Sequence, residues 1–392
     1  VAVVGGGVAG LAAARELGRK GLSVVVLDGG SRAACASNAA AGMLAPQAEA
    51  DRADELFELL CASRDMYTDF AASLREESGV DIELDRTGTL YLALTEEDER
   101  ETNARYEWQT RAGLEVERLT AEEARALEPQ VSTRVRAALR FPRDWQVENR
   151  LLVRALRASA ESFGARVLED TEARGVYVSR DNRAEGVATF EGIVYAGAVV
   201  FAAGAWSSRL RKLFTPPMRS KIEEAELADD PRVEPVRGQM LCFRQRQDAE
   251  PFARHVIYSP RGYVVPRRDG RLLAGSTTEH VGFDASVTDE GVRAIKANAR
   301  EIAPAVASLA LEDSWAGLRP RASDGLPFIG ESADVKNLFY ATGYYRNGIL
   351  LAPATGRIVA ELVACGATKL APRALTAFSP ARMARTAVGG SR

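Results

Sequence analysis

The residues most able to do chemistry stand at the start of the chain. Gly5-Gly6-Gly7-Val8-Ala9-Gly10 follows the apolar run Val1 to Val4 and leads into a helix-compatible stretch reaching about Lys20. A second apolar run, Leu22 to Leu27, ends on Asp28. This is G-x-G-x-x-G in the setting that gives it meaning: strand, tight turn, helix, strand, terminal acid. Gly5 permits the turn, Gly7 lets backbone approach a pyrophosphate, and Gly10 lets helix and strand pack closely. The helix then aims its first N–H groups at the phosphates, and Asp28 is placed to accept hydrogen bonds from a ribose hydroxyl pair. The chemistry is dinucleotide binding, and this stretch alone leaves the dinucleotide open.

Other carriers of chemistry are sparse. The only histidines, His255 and His280, flank no motif, and Cys35, Cys61, Cys242 and Cys365 are scattered with no C-x-x-C. That pattern speaks against a metal site and against a Ser-His-Asp triad, so the reaction is assigned to a cofactor. Scattered thiols read as reduced and mostly buried, which points to the cytoplasm. A net charge of −3, with 46% apolar and 27% charged residues, gives no reason to expect nucleic acid or an anionic membrane as partner. No apolar run approaches the roughly 20 residues that span a bilayer. The apolar start is not read as a signal peptide, because its glycines and acid have a structural use. Since it opens on a strand without Met, a few preceding residues are expected.

These residues need elements to position them, and 392 residues favour two domains over one core. Asp54 to Ser78 has helical periodicity ending at Gly79, and residues 80–94 alternate around Thr87-Gly88 like a hairpin. Helices follow at about 96–112 and 120–127, the second opened by the cap Thr120-x-x-Glu123, then a strand at 136–141 and a helix at 149–163. A buried strand near residue 200 runs into Ala203-Gly204-Ala205, a second place for backbone to meet the cofactor, or else a plain strand-to-loop turn. Residues 210–232, with Pro216-Pro217, read as an exposed connection. Strands at 239–243, 263–266 and 271–274 suggest an antiparallel sheet, the last two joined at Arg268-Asp269-Gly270, followed by a helix at 292–307. A strand at 338–342, a glycine-rich turn and a helix at about 350–365 precede a frayed end.

Four separated stretches share one resemblance. GGGVAG with its acid, SNAAAGMLAPQAE, WAGLRPRASDGLPFIG and ATGYYRNGILLAPATG together resemble the glycine oxidases. These are FAD-dependent amine oxidases of thiamine biosynthesis, within the D-amino-acid oxidase superfamily. The resemblance implies an α/β fold, α+β overall. A Rossmann-like FAD-binding domain with a central parallel sheet would take residues 1–79, 145–220 and 314–370. An interleaved substrate domain on a mainly antiparallel sheet would take 80–144 and 221–313, leaving 371–392 as a tail.

By the same resemblance the dinucleotide is FAD, held noncovalently. Val8, Ala9, Asp28 and Gly29 meet its adenosine end, and Ala173 offers backbone to the adenine. Ala36, Ser37, Ala41, Gly42 and Met43 line the pyrophosphate and isoalloxazine. The run Tyr344, Tyr345, Arg346, Asn347, Gly348, Ile349 and Leu350 brings backbone N–H groups to the flavin's N1–C2=O edge, where reduced flavin is anionic. Arg319, Arg346 and Tyr263, with Met43, fall on substrate positions; a guanidinium grips a carboxylate with two parallel bonds. The alternatives are a structural ion pair for either arginine and a core position for the tyrosine. Two departures stand out. Arg261 replaces a histidine often found two residues before that tyrosine, and Thr278 replaces a methionine; both are expected to make the pocket rim more polar.

The implied reaction oxidises glycine, with sarcosine and small D-amino acids slower, by hydride transfer to the flavin with O2 reduced to H2O2. It requires no side-chain acid or base, and thiazole synthase is an expected partner. A homo-oligomer stays among the expectations. The weighed alternatives are a D-amino-acid dehydrogenase with another electron acceptor and a non-catalytic flavin-binding accessory protein.

Overall fold

The computed structural model describes residues 1–30, 34–210, 213–214, 231–245, 250–370 and 372–383. Its first sheet has six strands in the order Phe328–Glu331, Leu338–Thr342, Val199–Phe201, Ala2–Val4, Val25–Leu27, Arg166–Leu168. All neighbours are parallel except the first pair. Ala2–Val4 lies between Val25–Leu27 and Val199–Phe201, so the chain leaves the central strand in opposite directions. That reversal opens a crevice at the strands' carboxyl ends, where Gly5 follows.

Helix Val8–Arg19, rich in Ala and Leu, forms readily and buries most of its surface against helices Asn149–Ser162 and Ala352–Cys365. Gly10 is what permits its steep departure: a Cβ there would lie 2.0 Å from the Gly5 carbonyl oxygen. Gly5 itself adopts φ +111°, which other residues avoid. Leu11 and Leu17 are almost wholly buried, each contributing on the order of 1.5–3 kcal/mol.

The second sheet has eight strands: Ala310–Ala322, Val233–Arg244, Arg271–Gly275, Gly262–Pro266, Val256–Ser259, Thr89–Ala93, Ala137–Phe141 and Glu117–Thr120. Pairing is antiparallel apart from Val256–Ser259 with Thr89–Ala93. Strand alternation divides its faces. Leu241, Phe243, Val264, Leu272 and Ala274 pack under helix Asp289–Ile302. Met240, Cys242, Val265 and Leu273 face the other way, towards Ala41, Met43 and Trp315. Strand Ala310–Ala322 pairs along its length with Val233–Arg244, so the boundary expected at 313/314 falls inside one continuous strand. A four-stranded sheet (Ile193–Tyr195, Ala184–Thr189, Ala173–Val178, Leu213–Phe214) and a short pair (Met43–Leu44 with Trp145–Gln146) complete the strands among the described residues.

Several expectations need correction. Residues 80–94 form no hairpin. Only Thr89–Ala93 is strand, because Asp85 accepts bonds from Thr87 N and Oγ1 in a local turn and bridges Gln146 instead. The helix expected over 54–78 is two, Glu55–Asp65 and Tyr67–Ser78, joined at Met66. The helix at 292–307 begins earlier, capped by Thr288, and ends at Ile302 before Pro304, which has no N–H to continue it. The final segment is not frayed where described: Pro372–Phe378 is helical and Phe378 is fully buried. Arg382 also binds Asp324 at 2.6 Å and the Leu326 carbonyl at 2.7 Å. Within the expected connection 210–232, Leu213–Phe214 pairs with Ala173–Val178, while 211–212 and 215–230 lie outside the described residues. Among the described residues no helix is long and apolar enough to cross a membrane.

Candidate active site

A cavity of about 1140 Å³ runs from the carboxyl ends of the six-stranded sheet to the inner face of the eight-stranded one. Gly5, Gly7, Val8, Ala9, Asp28, Gly29 and Ala173 line it, as do Ala36, Ser37, Ala41, Gly42, Met43 and Gly204. Tyr263, Arg319 and the whole run Tyr344 to Leu350 line it too. The structure therefore brings together every expected site residue except Gly10, which lies behind the turn, packed on Gly5.

At the fingerprint, helix Val8–Arg19 begins on Gly7 with no side-chain cap and no acid in its first turn. Its positive end faces the cavity, and Val8 N donates to Ser37 Oγ at 3.0 Å. The Asp28 carboxylate lies under the turn, where a Cβ on Gly6 would come within 2.5 Å of it. This cradle, an uncapped helix start above a carboxylate with small residues opposite, fits a dinucleotide. The cavity's continuation to Tyr344–Leu350 fits one carrying a large ring system.

The wall that runs between the two ends is held by side chains from distant strands and helices. Asn149 Nδ2 donates to Ser37 O and Asn38 O at 2.8 and 3.1 Å, and Trp315 Nε1 to Ala39 O at 3.0 Å. Arg267 Nη2 donates to Ala41 O at 2.7 Å and its Nη1 to Val147 O at 2.9 Å. Arg267 is deeply buried, and that desolvation lowers its pKa to about 10. Past Met43, the turn of helix Pro46–Glu49 is capped by Asp144, which accepts from Gln47 N and Ala48 N at 3.2 and 2.7 Å. Burial pushes the Asp144 carboxyl up to about 7, against the pull of the Ala48 bond and Arg64.

The far end is a cluster of charge and phenol. Arg319 lies across Gly238, its Nη1 on Thr277 O at 3.1 Å and its Nη2 on Ser276 Oγ at 2.7 Å. Arg346 donates to Thr278 Oγ1 at 3.2 Å, so the second departure serves as an anchor. Tyr345, at φ +49°, donates its N–H to Pro320 O at 2.7 Å, which ties the Arg346 turn to the strand of Arg319. Tyr263 stacks on Tyr258, with centroids 6.1 Å apart, and its hydroxyl donates to Met240 Sδ at 3.3 Å. Arg261 does not line the cavity: it turns away to Asp98 at 2.6 Å and Glu301 at 3.2 Å, so the expected polar rim is not built from it.

Glu49 was not foreseen. It lines the cavity half-buried, and burial raises its pKa while Arg346, Arg319 and Arg105 pull the other way. It stands in SNAAAGMLAPQAE, and an acid closing an otherwise uncharged stretch was the available signal. Trp315 and Gly317 were likewise missed, although they precede Arg319 by four and two residues on one strand, the spacing that shares a face.

A sequence model of one family, DAO (FAD dependent oxidoreductase), matches residues 1–362. The chain belongs to the DAO family. This DAO-family protein is 35% identical to glycine oxidase of Pseudomonas aeruginosa, over 93% of this chain and 94% of that one. It is 36% identical to glycine oxidase of Geobacillus kaustophilus, over 96% of each. The crystal structure of a glycine oxidase from Geobacillus kaustophilus superposes with a TM-score of 0.88, covering 97% of this chain and 98% of that one. It also matches the bifunctional protein ThiO/ThiG of Synechocystis, at 34% identity over 98% of this chain and 54% of that protein. FAD is thus the cofactor whose cradle the fingerprint end forms.

Proposed function

We propose that this DAO-family protein oxidises glycine to its imine, and sarcosine and small D-amino acids more slowly. One observation carries the reading. Arg319 and Arg346 line the end of the cavity remote from the dinucleotide cradle together with Tyr263, and the Tyr345 N–H bond to Pro320 O at 2.7 Å ties the turn of one arginine to the strand of the other.

The two guanidiniums grip the substrate carboxylate. Arg319, held by Thr277 O and Ser276 Oγ, presents a fixed edge, and the turn at Tyr345 places Arg346 beside it. Tyr263 can turn its hydroxyl from Met240 to the same carboxylate. Glu49 accepts hydrogen bonds from the substrate's nitrogen, which orients the α-carbon. No side chain need abstract the α-proton if the amine is neutral when it reacts. Bound FAD would supply the two-electron acceptor for the α-hydrogen and its electron pair, and these, with the proton the amine gives up as the imine forms, would reduce O2 to H2O2. Met43 and Trp315 wall the site with apolar surface and limit water around the imine. The released imine hydrolyses to glyoxylate and ammonia or serves a thiazole synthase in thiamine synthesis. Support for the latter is the similarity to the bifunctional protein ThiO/ThiG of Synechocystis.

Anaerobic mixing with glycine, sarcosine and D-alanine in parallel tests this. Bleaching of the flavin absorbance by glycine, followed by peroxide on admitting air, is expected. Bleaching by D-alanine with dye reduction but no peroxide would assign a dehydrogenase, and no bleaching by any amine would remove the amine oxidase reading.

A further inference from the structure

In a dinucleotide crevice the pyrophosphate meets the helix start and the acid at the second strand's end meets a ribose, so the base lies past that acid. Past Asp28 the cavity wall is Thr171 to Arg174 and Phe190. Thr171 N donates to Asp28 O at 2.9 Å, and Glu172 Cα lies 3.8 Å from where a Cβ on Gly29 would be. Thr171 and Glu172 therefore adjoin the ribose acid directly.

Phe190 stands out among them. It is 72% exposed, a level that burial normally prevents for so large an apolar ring. It sits in the turn after strand Ala184–Thr189, whose last residue pairs with Ala173. The turn is closed by hydrogen bonds: Thr189 N and Oγ1 both bond Gly192 O, at 2.8 and 2.9 Å, and Glu191 N bonds Thr189 Oγ1 at 3.2 Å. The Arg174 guanidinium packs over the ring, 4.5 Å from its centroid. The ring is thus braced on one face while it borders the cavity, which suits it to receive a flat aromatic group.

We propose that Phe190, backed by Arg174, is the stacking platform for the adenine of the bound FAD. The inference rests on the FAD assignment and adds a side chain to a cofactor end otherwise met by backbone and carboxylate. Stacking of a base on an aromatic ring needs no hydrogen-bond match, and losing it costs about tenfold in affinity.

The test uses the full chain, depleted of flavin and titrated with FAD or with FMN, which lacks the adenosine. Quenching of flavin fluorescence gives the dissociation constants. Phe190→Ala and Phe190→Leu are expected to weaken FAD binding about tenfold, with Phe190→Trp within twofold of the parent and FMN binding unchanged in all three. FAD binding by Phe190→Ala within twofold of the parent overturns the proposal, and so does an equal weakening for FMN. If the parent binds neither flavin, the FAD assignment falls first.

Discussion

At one end of the cavity the wall is backbone and glycine, drawn mostly from residues 5–29; at the other it is guanidinium, carboxylate and phenol. The first end is made by a single strand–turn–helix–strand unit whose parts are neighbours in the chain. The second gathers Met43, Glu49, Met240, Tyr263, Arg319 and Arg346 from strands, a turn and a short helix that only the folded sheets bring together. The difference sets what each end can tolerate. A backbone cradle fails when anything larger than hydrogen is added, whereas a side-chain cluster loses one interaction at a time.

The largest effect is therefore expected at Gly10. A Cβ there meets a backbone oxygen at 2.0 Å, an obstacle that cannot rotate away, so Gly10→Val must displace the turn or the helix. The protein should purify with almost no flavin, read from the ratio of flavin to protein absorbance, and lose on the order of 3 kcal/mol or more of stability in denaturant unfolding. Full flavin content in Gly10→Val would mean that the cradle is not the cofactor's anchor.

Arg319→Ala should leave the flavin in place and break the other end. Loss of a bidentate, charge-assisted grip lowers kcat/KM for glycine by about 10²- to 10³-fold, with Arg319→Lys recovering only part, because a point charge cannot make two parallel bonds. Loss of flavin together with activity would instead make Arg319 a structural brace for Thr277 and Ser276.

The contrast between the ends also explains what could be read from the chain. Gly5, Gly7, Gly10 and Asp28 announce themselves because local geometry dictates both their type and their spacing. Tyr263 and Arg346 had to be drawn from resemblance, since nothing local tells a pocket tyrosine from a core one. Glu49 stayed hidden because its significance comes from Arg319 and Arg346, roughly 270 and 300 residues away. The hairpin misread at 80–94 has the same origin: apolar–polar alternation is local, but Asp85 finds its partner at Gln146.

Glu49 supplies a smaller effect and a pH signature. Burial raises its folded pKa, so its charge is lost as pH falls through that raised value, earlier than for an ordinary glutamate. If the carboxylate orients the substrate amine, kcat/KM should fall along that acid limb, and Glu49→Gln should lower kcat/KM about tenfold at neutral pH while flattening the limb. The stability sign is opposite. A carboxyl whose folded pKa is raised favours the folded state most below its unfolded value and loses that contribution as pH rises through the folded one. Glu49→Gln should therefore hold its stability across that rise better than the parent. An unchanged acid limb would remove Glu49 from the substrate's surroundings.

The smallest effect belongs to Arg261, where resemblance pointed into the pocket and the structure points out of it. Its guanidinium joins Asp98, which caps helix Glu96–Arg111 through Thr95, and Glu301 of helix Asp289–Ile302. The residue thus joins two helices on opposite faces of the eight-stranded sheet: Glu96–Arg111 packs against Tyr91, and Asp289–Ile302 covers the Leu241 and Val264 face. Asp98 keeps bonds from Leu94 N and Thr95 N, both 2.9 Å, so Arg261→Ala leaves it partnered. The expected cost is about 1 kcal/mol of stability, visible as a fall of a few degrees in Tm and reduced further by salt. KM and kcat for glycine should stay within twofold of the parent. A change in substrate preference, with sarcosine gaining on glycine, would place Arg261 at the rim after all and would require the strand at Gly262–Pro266 to present it to the cavity.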